Sequence, residues 1–207
     1  MADPIDNRVF VLILQHPQEH RELLSTAPLI CDALQHATLE VGLSWPSLTR
    51  AFGAPAEPRR WAVLHLGAAR AEQAVERREL TLLDRHGEPM ADPSAILTGL
   101  RGIVLLDGTW SQAKTLWWRN PWLLKLHRIV LDPPRPARLG QLRREPRRDA
   151  LSTIEAAALA LRHLEAGPGA ADALIAALDQ MMATVQRPAG GGFTGVTSWQ
   201  TRRPHRR

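Results

Sequence analysis

Ile103-Val-Leu-Leu-Asp107-Gly-Thr-Trp110-Ser-Gln-Ala-Lys114-Thr-Leu-Trp-Trp118 is the stretch from which the fold can be read. Its first four residues are continuously apolar rather than alternating, as in a strand buried on both faces of a parallel sheet. Gly108 then allows a tight turn, Thr109 is a helix-capping residue type, and the pattern from Trp110 to Trp118 is helical. Strand, turn and helix in immediate succession are half of a βαβ unit. Similar apolar runs recur at residues 9–14, 61–66 and 128–131. Between the first two, Leu23, Leu24, Ala27, Ile30 and Leu34 fall at helical spacing, which predicts a helix over residues 19–36. The expected fold is therefore α/β, a mostly parallel sheet flanked by helices.

The rest of the chain fits one unit. Pro121 is tolerated only near a helix end, and Asp132-Pro-Pro-Arg-Pro136 must be extended loop. Ser152 followed by Glu155 three residues on is a capping box and predicts a helix over residues 152–165. A second helix, over 171–186, follows the Gly167-Pro-Gly169 break. Residues 187–207, with Pro188, three consecutive glycines from Gly190 and four closing arginines, read as a flexible basic tail. A chain of 207 residues supports one core, so residues 1–186 are expected to form one domain, and there is no internal repeat. No apolar run reaches the roughly 20 residues that span a bilayer, and the first is too short for a signal-peptide core. No membrane partner and a cytoplasmic location are expected. Cys31 is the single cysteine, which excludes an internal disulfide framework and a cysteine-based zinc site.

A formal charge of +5 and a pI near 10.8 favour a polyanionic partner. Placement sharpens this. Nine lysines and arginines lie between Arg119 and Arg148 against only Asp132 and Glu145. Unpaired RNA bases stack on aromatic and guanidinium planes, and neighbouring tryptophans on a helix cannot both face the core. Lys114, Trp117, Trp118, Arg119, Arg135, Arg143, Arg144, Arg147 and Arg148 are accordingly the candidate contacts to a nucleic-acid partner.

The usual cofactor loops are missing: neither G-x-G-x-x-G after a strand nor G-x-x-x-x-G-K-[ST] occurs, and there is no G-x-S-x-G or H-E-x-x-H. A Rossmann dehydrogenase and a P-loop NTPase do not fit. Asp107, by contrast, ends a buried strand at its carboxyl end, where open α/β sheets bind ligands. Two readings fit it: a structural carboxylate at a helix start, or the centre of a site. The helix beginning at Ser152 and Thr153 offers backbone N–H groups and a positive dipole end to an anion. His16 and His20, one turn apart, lack a third partner in sequence and do not make a metal site.

Asp107-Gly-Thr-Trp110 resembles the D-x-T-W signature of the DTW-domain family of tRNA-uridine aminocarboxypropyltransferases. Leu151-Ser-Thr-Ile-Glu-Ala156 is similar to that family's later S-T-x-E-A element, and Gln15-His-Pro-Gln-Glu19, with Ser25-Thr-Ala27, to its N-terminal block. The three stand in the family's order across residues 9–164. The resemblance implies a SPOUT-like fold with a C-terminal knot, and transfer of the 3-amino-3-carboxypropyl group of S-adenosylmethionine to N3 of a tRNA uridine without a metal. It implies cofactor contacts at Leu66, Gly67, Leu105, Asp107, Gly108, Thr109, Trp110, Leu131, Ser152, Thr153 and Glu155. Asp107 would be the catalytic carboxylate, as base for N3 or as ligand of the cofactor's ammonium. Two departures stand out: many members carry a cysteine-rich N-terminal segment, and members tend to have Pro-Ser where Gly67-Ala68 stands. Two alternatives use the same surface: a SPOUT-like RNA methyltransferase, and a non-catalytic RNA-binding module.

Overall fold

A computed structural model describes residues 3–22, 25–64, 79–84, 86–132 and 151–186. Its centre is a six-stranded sheet of β1 (Phe10–Gln15), β2 (Ala37–Val41), β3 (Trp61–Leu64), β4 (Leu80–Leu83), β5 (Gly102–Asp107) and β6 (His127–Leu131), in the order β2-β1-β5-β3-β6-β4. All neighbours are parallel except β4, which runs antiparallel to β6 at the edge. The four strands in the middle are the four apolar runs of the sequence. Their side chains alternate between two cores. Val11, Ile13, Ala62, Ile103 and Leu105 pack with α1 (Ala27–Ala33), α5 (Thr153–Leu164) and α6 (Gly169–Gln186). Leu12, Leu14, Val63 and Val104 pack on the other face with α2 (Leu48–Phe52) and with Trp122, Leu123 and Leu126, which follow α4 (Trp110–Arg119). Helices on both faces are what continuous apolar strands require.

Several elements differ from the sequence reading. The helix expected over residues 19–36 is a 3-10 turn, Glu19–Arg21, followed by the separate α1. Pro28 is the reason, since proline is accommodated only in the first turn of a helix and so dates the start of α1. β2 and β4 lie at the two edges, and β2 is half-exposed, so neither carries the fully apolar signature of the central strands. A short helix, α3 (Ser94–Gly99), precedes β5. The helix expected over 152–165 is α5, with Ser152 as its N-cap.

The connection from β6 to α5, residues 133–150, lies outside the described residues, and with it the segment a knot would need. The tail expected over 187–207 also lies outside them. No described helix is long and apolar enough to cross a membrane.

Candidate active site at the ends of β1 and β5

β1 and β5 are neighbours in the sheet, but the chain leaves them in opposite directions. From β1 it goes to α1 and β2 on one flank, and from β5 to α4 and β6 on the other. This is a topological switch point, where the two departing chains open a crevice at the carboxyl ends of the strands. The register pairs Gln15 with Asp107, the last residues of both strands. By the alternation of side chains, both belong to the face that carries α1 and α5.

A polar knot fills this end of the core. Gln15 Nε2 donates to Asp107 Oδ2 at 2.7 Å and to Ser25 Oγ at 2.9 Å. The hydroxyl of Thr153 donates to the other carboxylate oxygen, Asp107 Oδ1. Because the Gln15 amide nitrogen faces a carboxylate, its oxygen is the acceptor left over. It lies 3.1 Å from His20 Nδ1, which therefore carries the ring proton. The backbone joins in: the N–H of His16 donates to the Asp107 carbonyl at 3.0 Å, and that of Ile154 to Thr26 Oγ1 at 3.4 Å. Gln15 is fully buried and Asp107 only 4% exposed. Each Asp107 oxygen keeps a further lone pair beyond its bond to the protein.

Asp107 does not cap α4. Thr109 does, in a reciprocal pair: the Thr109 N–H donates to Gln112 Oε1 at 2.7 Å, and the Gln112 N–H to Thr109 Oγ1 at 3.4 Å. The turn between them needs glycine. Gly108 has φ +149°, and a Cβ there would stand 2.8 Å from Gln112 Oε1 and 2.9 Å from Gln112 Cβ. At α5, both the backbone N–H and the hydroxyl of Ser152 donate to Glu155, at 3.1 and 2.5 Å. The hydroxyl protons of Ser152 and Thr153 are thus committed to carboxylates. What they offer a ligand is lone pairs, beside the acceptors of Asp107.

The sequence-predicted residues separate into groups. Asp107, Gly108, Thr109, Ser152, Thr153 and Glu155 converge on the end of β5. Leu105 is a core side chain, 2% exposed. Leu131 ends β6, which β3 separates from β5. Leu66 and Gly67 lie outside the described residues, as do Arg135, Arg143, Arg144, Arg147 and Arg148. Of the adjacent tryptophans, Trp118 is 76% exposed, whereas Trp117 is half-buried against the core. Trp117 packs against the core where Trp118 turns to solvent, because residues one apart on a helix point about 100° from each other. Trp110 is 46% exposed. It shares a solvent-facing stripe with Lys114 and Trp118, at i, i+4 and i+8. Lys114 and Arg119 are exposed, and the segment from Trp110 to Lys125 contains no acidic residue. Sequence reasoning left Gln15 and His20 out of the site. The available signal was a single polar residue closing an otherwise apolar run. Among the described residues no cluster of His, Cys, Asp and Glu could hold a metal ion.

The family model of the DTW domain matches residues 2–186. Three relatives carry the name tRNA-uridine aminocarboxypropyltransferase 2. That of Macaca fascicularis is 27% identical over 168 residues, covering 79% of this chain and 50% of its own. That of Mus musculus is 28% identical over 165 residues, covering 78% and 50%. That of Drosophila melanogaster is 30% identical over 162 residues, covering 76% and 57%. The chain thus spans about half the length of these curated relatives. No solved structure matches it.

Proposed function

Since the chain belongs to the DTW-domain family, we propose that it modifies a uridine of tRNA, transferring the 3-amino-3-carboxypropyl group of S-adenosylmethionine to N3 and releasing methylthioadenosine. The observation that carries this reading is the meeting of Asp107 with Gln15 and Thr153, which are 92 and 46 residues away in sequence, at the switch point of the sheet. Each of the three comes from one of the three sequence blocks that carry the family resemblance. The names of the relatives support the reaction.

The residues present suit such a donor. Carboxylates at Asp107 and Glu155, and hydroxyl oxygens whose protons are turned inward, make an acceptor-rich wall for an ammonium and a nearby positive centre. Gly108, with no room for a Cβ, lets backbone approach closely. When bound, S-adenosylmethionine supplies a carbon activated by the sulfonium it is attached to. Leu66, Gly67 and Leu131 are proposed to complete the wall, beside the backbone at Leu105.

The work of the protein is placement and one proton. Uridine N3 is a weakly acidic imide, and a carboxylate at hydrogen-bond range suffices to take its proton. We assign this to Asp107. Gln15 and Thr153 fix the carboxylate, and Ser25 and His20 in turn fix the Gln15 amide. Trp110, Lys114, Trp118 and Arg119 form the proposed RNA platform, basic and aromatic and beginning three residues beyond Asp107. A metal is not required for this chemistry, a proposal tested by activity in the presence of a chelator. A cytoplasmic location is proposed with the tRNA substrate.

The test is incubation of the chain with S-adenosylmethionine and unmodified tRNA, followed by nucleoside mass spectrometry. Methylthioadenosine and a uridine carrying the added group are expected. Release of S-adenosylhomocysteine would transfer the site to a methyltransferase, and tRNA binding without turnover to an RNA-binding module.

A further inference from the structure

At the other end of the strands, about 16 Å from Asp107 by five residue steps along β5, lies a cleft of about 520 Å³. It opens at the starts of β1 and β3, on the face that also carries α4 and Trp122. Its floor is aromatic. Phe10 and Phe52 meet edge to face at 4.7 Å, and Phe52 and Trp61 stand 4.9 Å apart. Phe10 and Phe52 are only half-buried, so part of each ring faces the cleft.

Its rim carries two guanidinium groups beside two carboxylates, Asp6 and Glu57. Arg60 and Arg101 are both exposed, and the backbone ties them together: the N–H of Arg101 donates to the Arg60 carbonyl at 2.7 Å. The Nε–H of Arg60 donates to the Gly99 carbonyl at 3.3 Å, which fixes the base of the guanidinium and leaves its outer N–H groups for a ligand. Among the described residues no carboxylate forms an ion pair with either arginine. Asp6 is engaged by His36 at 3.1 Å, and Glu57 is the remaining acid on the rim. Arg8 is spent internally, donating to the carbonyls of Thr98, Leu100 and Leu164.

An aromatic floor beneath two guanidinium groups fits one ligand chemistry: a nucleobase against the rings, and its phosphate between the arginines. The volume lies within the range of small-molecule sites. We infer that this cleft is a second nucleotide-binding site, which holds an unpaired nucleotide of the RNA substrate away from the reacting uridine. This rests on the reading of the substrate as tRNA. At its distance from Asp107 the site cannot present the reacting base. It would raise affinity, and fix which part of the RNA crosses the sheet.

The test uses the full chain with Arg60→Gln and Arg101→Gln, singly and together, with thermal melting alongside; both residues are exposed, and the one bond lost is that of Arg60 to the Gly99 carbonyl. The double variant should raise the KM for tRNA severalfold at unchanged kcat. Its binding to tRNA, measured without S-adenosylmethionine, should lose about one unit of salt slope per lost phosphate contact. Uridine monophosphate should bind the parent chain and fail to bind the double variant. Loss of uridine monophosphate binding with unchanged tRNA affinity would confirm the nucleotide chemistry but make a free nucleotide its source. Unchanged binding of both would overturn the inference. Because the binding assays need no turnover, they stand whether or not the proposed transfer is observed.

Discussion

Asp107 is held by two donors that have no other carboxylate to serve, so the choice of substitution decides what an experiment reports. Asp107→Ala leaves one N–H of the buried Gln15 amide without an acceptor, though its bond to Ser25 remains, and frees the part-buried Thr153 hydroxyl; the cost is about 1–3 kcal/mol in all. Asp107→Asn keeps the shape, still accepts from Gln15, and presents an amide to the Thr153 oxygen. Thermal melting should therefore fall clearly for alanine and little for asparagine, while both lower turnover at least about 100-fold if the carboxylate is the base. A raised KM for S-adenosylmethionine with kcat retained in Asp107→Asn would instead make Asp107 the ligand of the ammonium group. Gly108→Ala is a cleaner structural probe. Its φ of +149° and the 2.8 Å approach to Gln112 Oε1 mean that the cap of α4 must open. We expect a loss of about 1–3 kcal/mol, read as a drop of several degrees in melting temperature, and activity lost with it. A melt unchanged by this substitution would show that the turn relaxes without strain.

Elements reveal which parts of the fold a sequence can carry. The central strands were legible because burial on both faces leaves no room for polar residues, α4 because Thr109 is a capping residue before a helical pattern, and α5 because Ser152 with Glu155 is a capping pair at fixed spacing; that Gln112 closes the α4 cap emerges only in the structure. β4 was not, for an edge strand of four residues has too little pattern. Its position depends on the turn that follows. Asp84 Oδ1 accepts the N–H groups of His86 at 2.8 Å and Glu88 at 2.9 Å, and Arg128 from β6 donates to the Asp84 carbonyl. The Glu88 N–H, more than any other group, holds the Asp84 carboxyl below the ordinary aspartate range. The folded turn thus favours the charged form. Its contribution is complete above the unfolded value of about 3.9 and is lost as pH falls through the lower folded value. The amide resonances of His86 and Glu88 should titrate together with a midpoint below about 3.9, and Asp84→Asn should abolish that titration. A midpoint at or above the ordinary value would mean that the turn does not hold the charged carboxylate.

For the whole molecule, the two ends and two faces of one sheet separate groups of residues that sequence order mixes. Asp107 could be picked out from its own neighbourhood, at the end of an apolar run. Of its partners, Thr153 could be named from the capping pattern at the start of α5, but Gln15 could not: it reads as the end of another strand, and only the adjacency of β1 and β5 brings it to Asp107. Nor does the order of residues tell that Trp117 turns inward and Trp118 outward, since both follow the same helical pattern until the core is known. The arrangement predicts separable effects. Asp107, Gln15 and Thr153 lie on the face of α1 and α5, whereas α4 departs across the other face with Lys114 and Trp118 directed to solvent. Lys114→Gln with Trp118→Ala should weaken tRNA binding, reduce its salt dependence, and leave both the melt and the affinity for S-adenosylmethionine unchanged. Thr153→Val removes the donor to Asp107 Oδ1 and should do the reverse, lowering the melt and S-adenosylmethionine affinity with tRNA binding intact. Trp117→Ala should chiefly lower the melt, because that ring belongs to the core. If the two sites are independent, the Lys114, Trp118 and Thr153 substitutions combined should show the sum of their binding effects within about 0.5 kcal/mol. A larger departure would mean that RNA on α4 and the donor at Asp107 sense each other through the turn at Gly108, the only covalent step between β5 and the α4 cap.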